Sequence, residues 1–346
     1  MAAVEIRPFV PEKASRSLWD SYHAFRRIRR KEHDPTEPLT PDDVAEARLR
    51  HRDPDEDDHH LVALVDGRVV GYAGYGGAAE ASRAYASNRP FVWVWGGVIT
   101  PFRRQGIGRG LLVPAIGYAE GRGARTLDLW SSEADGFGFL ERMGAESKAV
   151  ERESRLYFDQ IDWPLVERWI AELPERALGT ELVLLDNRLP DDLERYAAAR
   201  EEMLNLMPWD DIEHGDITVT PENLRVTMER HAIDGSEHHT VYTVEPDGAI
   251  SSITDVVWSP SAPNKVSQWF TGVHPAYRGK GLGKAIKAAM LRFVRDKYSG
   301  IEWVSTENSQ TNAAMLAINV RLGFREHRLS RAYQVPVEVL REKLVP

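Results

Sequence analysis

The pattern that begins at Asp57 is written again from Ser236, and this duplication restricts the chain to folds made of two like units. Residues 57–77 read as two alternating strands joined by Asp66-Gly67, a type I′ hairpin signal; residues 236–258 read the same way around Asp247-Gly248. Each hairpin leads to an aromatic-rich strand, 91–101 or 265–275. An Arg/Gly segment and a helix follow, with Leu282, Ile286, Met290 and Phe293 on one face in the second copy. A short strand comes next, 125–132 or 301–308, and then a helix closing on Gly144 or Gly323, where a C-cap belongs. First strands open each series, helical segments 11–51 and 190–234 come after them, and final strands lie at 154–159 and 331–336. The expected class is α/β with a mixed sheet in each of two tandem domains: 1–160, a linker helix at 161–179, and 180–346.

Composition narrows the function classes. A length of 346 residues suits about two domains, and 42% apolar with 28% charged residues is a globular balance. No apolar run is long enough to span a membrane, and the N-terminus shows no signal pattern, so a cytoplasmic location is the default expectation. The absence of cysteine removes thiolate ligands and a cysteine nucleophile. A net charge of −9 argues against nucleic acid as a partner. An anionic ligand must therefore be held by local features.

The Arg/Gly segments are such features. "AYRGKGLGKAIK" (276–287) and "FRRQGIGRGLL" (102–112) each stand between an apolar strand and a helix. First-turn N–H groups lack partners within a helix, and the helix dipole is positive there. Glycines let the backbone close around an anion, and Arg278, Lys280 and Lys284 add positive charge. Together they suit a phosphate or pyrophosphate. Neither copy ends in Gly-Lys-Ser/Thr, which excludes a P-loop, and the strand's place in its domain fits a dinucleotide fingerprint poorly.

These segments resemble the acyl-CoA-binding motif of the GNAT superfamily of N-acyltransferases, R/Q-x-x-G-x-G/A, met by Arg278, Gly281, Gly283 and by Arg103, Gly106, Gly108. The similarity extends over nearly the whole chain, once per half, and the duplication resembles tandem GNAT proteins of the mycothiol synthase-like kind. The resemblance implies that acetyl-CoA, a cosubstrate, lies between two splayed strands. Its pyrophosphate would sit on Gly279, Lys280, Gly281, Leu282, Gly283 and Lys284, and its pantetheine would pair with Thr271, Gly272 and Val273. The corresponding first-half residues are Arg104, Gly106, Gly108 and Arg109, with 96–98 (Gly97 and Val98 among them) for the pantetheine.

The family's Asn, Tyr and Gly-Phe series reads Asn312, Asn319, Gly323-Phe324 in the second half but Glu133, Leu140, Gly144-Ala145 in the first. Pro114 should kink the first copy's helix. The second half is thus expected to be catalytic, and the first either binds CoA or serves as a scaffold. The family's thiolate-protonating Tyr is missing from both. Asn319 is a candidate for orienting the thioester or a water, and Glu307 and Asp255 for deprotonating the amine through a water. For each, a purely structural role stands as the alternative. His274 is assigned to a turn.

Other clusters read as structural. No metal is expected at "DPDEDDHH" (53–60), since His-His recurs at 238–239 as a strand entry. The basic run 26–33 reads as a solvated face, with substrate recognition the alternative, and Trp209, Asp210 and Asp211 either recognise an amine or form a lid. The expected function is acetyl transfer from acetyl-CoA to the primary amine of a small molecule, by direct attack in a ternary complex. An acyl-CoA-binding scaffold and a protein N-acetyltransferase are the alternatives, and the pattern leaves room for a homodimer.

Overall fold

The computed structural model describes residues 3–344. Its twelve strands, in chain order, are Val4–Pro8 (β1), Glu56–Val65 (β2), Arg68–Ala78 (β3), Phe91–Val98 (β4), Thr126–Ser131 (β5), Glu146–Tyr157 (β6), Glu181–Asp186 (β7), Glu237–Val244 (β8), Ile250–Trp258 (β9), Lys265–Val273 (β10), Trp303–Ser309 (β11) and Arg325–Pro336 (β12). The chain divides into two compact units. Among the described residues, no helix is long and apolar enough to cross a membrane.

Unit 1 comprises Met1–Val150, Asp211–Asp216 and Ser330–Pro346. Its sheet runs β1-β2-β3-β4-β5, and β5 is then joined antiparallel by Arg331–Pro336 of β12. All its pairings are antiparallel except β4 with β5, which is why a helix, Ile107–Arg122, must carry the chain between them. That helix buries Leu111, Leu112, Ala115, Ile116 and Ala119 against the sheet. Pro114 stands inside it without ending it. On the entry side, Ser15 caps helix Arg16–His33 by accepting from the Leu18 amide at 3.2 Å, and Trp19, Tyr22 and Phe25 pack on Phe9 and the β2–β3 hairpin.

Unit 2 comprises Glu151–Asp210 and Ile217–Leu329, with strand order β6-β11-β10-β9-β8-β7. Residues 151–157 of β6 close it antiparallel to β11, and β10 and β11 are its parallel pair. Helix Leu282–Lys297 lies on this sheet, with Leu282, Ile286 and Met290 at 1% exposure or less and Phe293 partly buried. Helix Trp163–Ala171, in the expected linker, belongs to unit 2, where Leu165, Val166 and Trp169 join its core.

The units therefore interleave in sequence where a single cut at 161–179 was expected. Most of β6 serves unit 2, and most of β12 serves unit 1. Alternation tells a strand which face to bury, not which open edge to join. The hairpins also differ from each other. Asp66 (φ 48°) and Gly67 (φ 75°) form the expected type I′ turn, but residues 245–249 make a longer loop in which only Gly248 takes positive φ (86°). Its Gly248 amide donates to Glu245 O at 2.8 Å, so a tighter turn relaxes into one with a single left-handed glycine.

Candidate functional site

In both units the parallel pair separates part-way along. β4 and β5 are in register from Phe91–Thr126 to Val94–Leu129, after which β4 pairs with β3 alone. β10 and β11 stay together from Lys265–Trp303 to Gln268–Thr306, and β10 then bulges before Thr271. Each parted strand leaves backbone groups of 95–98 or 269–273 open on one edge.

Beyond each parted strand the chain makes a short turn and enters the helix through a left-handed residue. Gly106 (φ 83°) precedes Ile107–Arg122 and Gly281 (φ 83°) precedes Leu282–Lys297. A further left-handed position lies two residues earlier, filled by Gly279 (φ 84°) in one copy and Arg104 (φ 64°) in the other. Arg103 and Arg278 brace the turns from within, their Nε donating to Val98 O at 3.0 Å and Val273 O at 3.2 Å. The motif's arginine thus holds the cradle's shape.

In unit 1 the cradle and the parted strand enclose a cavity of about 520 Å³. Ala73, Val94, Gly96, Leu112 and Leu129 are among its lining residues, as is Leu140. Arg29, Arg103, Arg104, Arg109 and Arg142 also line it, a strongly basic set for a chain of net charge −9. Gly97 belongs to the wall: a Cβ there would meet the Arg29 guanidinium at 3.1–3.3 Å.

Glu133 bridges two of these arginines, Arg29 and Arg103. It accepts from Arg103 at 2.9 Å, pairs closely with Arg29, and lies 3.4 Å from His33 Nδ1. His33, Arg29 and Arg103 together hold its carboxyl well below the usual carboxylate range. Part of the basic run 26–33 therefore faces the cavity, correcting its reading as a solvated surface. Sequence separation hid this contact, since Arg29 and Glu133 meet only when helix and sheet pack.

In unit 2 the expected residues separate into two groups. Thr271, Gly272, Val273, Gly279, Lys280, Gly281, Leu282, Gly283 and Lys284 all lie on the parted strand or the turn and helix start after it. Lys280 points to Glu245 at 3.7 Å, and Lys284 lies over the Trp169 ring. His274 holds the turn: its Nδ1 accepts from the Ala276 amide at 3.3 Å, and Nε2 faces Glu202 at 3.0 Å.

Asn312, expected as a cofactor contact, and the catalytic candidates Asn319, Asp255 and Glu307 stand in separate surroundings. Asn312 caps helix Ala313–Leu322 by accepting from the Met315 amide at 3.2 Å. Asn319 is buried, its amide donating to Asn308 at 2.6 Å. Asp255 is wholly buried, bound by Arg200 and by the Thr240 hydroxyl at 2.8 Å. Glu307, on β11, is exposed. Asp210 accepts from Ser309 at 2.6 Å and from Thr311, so it ties down a loop.

The acidic and histidine clusters are also committed. His60 meets Tyr72 at 2.9 Å and Asp58 accepts from Trp93 at 3.0 Å. Asp186, Glu237 and His239 lie close enough to share a cation, but the Lys297 ammonium already pairs with both carboxylates.

Residues 21–145 and 204–324 each match the acetyltransferase (GNAT) family. A mycothiol acetyltransferase of Salinispora arenicola is 28% identical over 289 residues, which is 83% of this chain and 84% of that protein. One from Parafrankia sp. is 26% identical over 290 residues, 80% of this chain and 83% of its own length. Among solved structures, a tandem GNAT protein from the clavulanic acid biosynthesis pathway matches with a TM-score of 0.74 at 21% identity, over 97% of this chain and 99% of that one. A GCN5-related N-acetyltransferase from Sphaerobacter thermophilus matches with a TM-score of 0.64 at 16% identity, over 96% of each chain.

Proposed function

Since this chain belongs to the GNAT acetyltransferase family, we propose that it transfers an acetyl group from acetyl-CoA to the primary amine of a small molecule, by direct attack in a ternary complex. The observation that carries this reading is the parted strand followed by a left-handed glycine at a helix mouth, present in both units. The open strand edge offers amide partners to a pantetheine arm, and the helix mouth offers N–H groups and basic side chains to a pyrophosphate. Relatives named as mycothiol acetyltransferases support a small-molecule acceptor over a protein.

The first unit's cavity is an acyl-CoA site, and the second unit carries the transfer. Lys280 and Lys284 support the second as a cradle, and exposed Glu307 supports deprotonation of the amine through a water. Calorimetry with acetyl-CoA should find two sites per chain, and thiol release with a panel of small amines should follow. Tight binding without thiol release from any amine would overturn transfer. It would favour the second reading, an acyl-CoA-binding protein, which draws on Leu140 and buried Asn319 at the positions where the family has its tyrosine.

Glu133 gives a sharper test of the first site. A pyrophosphate must compete with this carboxylate for Arg103 and Arg29. Glu133→Gln is expected to tighten acetyl-CoA binding at that site roughly tenfold, the scale of one charge-assisted hydrogen bond released to the ligand. Arg103→Ala should weaken it, because the turn loses its brace as well as a charge. Unchanged calorimetric affinity in Glu133→Gln would separate this network from the ligand.

A further inference from the structure

The duplication supplies an internal control for every residue of the second unit. Lys287 is the sixth residue of its helix, and Leu112 is the sixth of the matching one. Gln268 forms the last rung before β10 parts from β11, and Val94 forms the last rung before β4 parts from β5. Thr254 pairs with Thr271 where Ala73 pairs with Gly96. Four apolar residues of one unit thus stand at positions where the other unit has four polar ones.

The polar four are joined. Lys287, 2% exposed, donates from Nζ to Gln268 Oε1. Gln268 Nε2 donates to Thr254 Oγ1 at 2.9 Å, and Thr254 Oγ1 lies 2.7 Å from Thr271 Oγ1. A small cavity beside Lys287 is lined by Val256 of β9, Val304 of β11, Phe324, and Met290, Leu291 and Val294 of its own helix. Among the described residues that line it, Lys287 alone titrates and none brings a carboxylate to the amine.

A buried lysine that has a Gln268 hydrogen bond and the Phe324 ring but no lining carboxylate is destabilising, and unit 1 demonstrates that the same topology packs with leucine, valine, alanine and glycine instead. All four of those residues line the 520 Å³ cavity. By the same register, the polar chain occupies the corresponding positions in unit 2.

We infer that Lys287 is a positioning residue for acyl transfer in the second unit: through Gln268 and Thr254 it fixes the Thr271 hydroxyl on the parted strand as a hydrogen-bond donor to the acyl thioester. The inference rests on the function proposed above. Thr254 accepts from Gln268 and keeps its own hydrogen; the proposed role has it donate that hydrogen to Thr271, which leaves the Thr271 hydrogen for the ligand. Burial lowers the Lys287 pKa to about 7, so the head of this chain changes charge within the working range of pH.

The test replaces the chain by its apolar counterpart, Lys287→Leu with Gln268→Val, and separately makes Thr271→Val and Thr271→Ser. Full-length protein is assayed for thiol release from acetyl-CoA, with kcat and KM resolved and kcat followed from pH 6 to 9. The double variant should fold, as unit 1 does with the same residues. Its kcat should fall roughly 10- to 100-fold with little change in KM, the scale of one oriented donor lost, and the ionisation near neutrality should leave the profile. Thr271→Val should match it, and Thr271→Ser should retain most activity. A double variant with the parent's kcat and pH profile overturns the positioning role while leaving transfer intact. A parent without thiol release overturns both.

Discussion

Gly281→Val is expected to remove acetyl-CoA binding at the second site, with calorimetric stoichiometry falling from two to one and thiol release falling at least roughly 30-fold. The reasoning begins with the backbone. Gly281 holds φ at 83°, where a β-branched side chain costs on the order of 1–2 kcal/mol or more. A Cβ there would also come within 3.1 Å of Arg176 Cδ, a flexible contact that can move aside. The larger effect is at the helix mouth, where a bulky side chain covers amides that a pyrophosphate must reach. A loss of about 2 kcal/mol in cofactor affinity corresponds to about 30-fold, enough for the stated fall in thiol release when acetyl-CoA is not saturating.

The matching variant, Gly106→Val, carries the same φ strain (83°) without the side-chain contact, because a Cβ at Gly106 meets nothing within 4 Å. It should remove the other site and leave thiol release largely intact if the second unit carries transfer. Gly279→Arg is the control. Arg104 already holds the same left-handed turn position in unit 1, so this change should bind almost normally. Stoichiometry that stays at two in Gly281→Val would break the link between the cradle and the cofactor.

The cradles could be read in the sequence because each demands a residue type. A left-handed entry to a helix calls for glycine, and a glycine pair repeated at one spacing after two aromatic strands has few other uses. The same logic located the left-handed glycines that end two helices, Gly144 (φ 84°) just after the Met143 cap and Gly323 (φ 101°) at the cap itself. Arg29 was not legible in this way. Its neighbours in sequence are basic, and only packing turns it, and not Arg27, toward Glu133. The exchange of β6 and β12 was hidden for a related reason, since both strands alternate alike and either sheet edge would accept them. Lys287 left a fainter signal. It falls at the position of Leu112 when the helices are aligned on their glycines, a lysine opposite a core leucine, but only the structure shows its amine fully enclosed.

Asp255 shows how the same polar residue can be weighed as a base or as structure. Burial alone would push its carboxyl up, but Arg200 and His238 hold it well below the usual carboxylate range. A base so held has little tendency to take a proton. Asp255→Asn is therefore expected to act on stability: it leaves the Arg200 guanidinium enclosed without its counter-charge, which costs about 3–5 kcal/mol. The sign with pH follows from the lowered pKa. Its stabilising contribution is fully present above the unfolded value near ~3.9 and is lost as pH falls toward the folded one. Urea unfolding of Asp255→Asn should show unit 2 melting at lower denaturant at pH 7, with a flatter acid limb than the parent. The folded fraction should keep its pH–rate profile. Loss of kcat with unchanged unfolding would return Asp255 to the catalytic step and displace Glu307 from it.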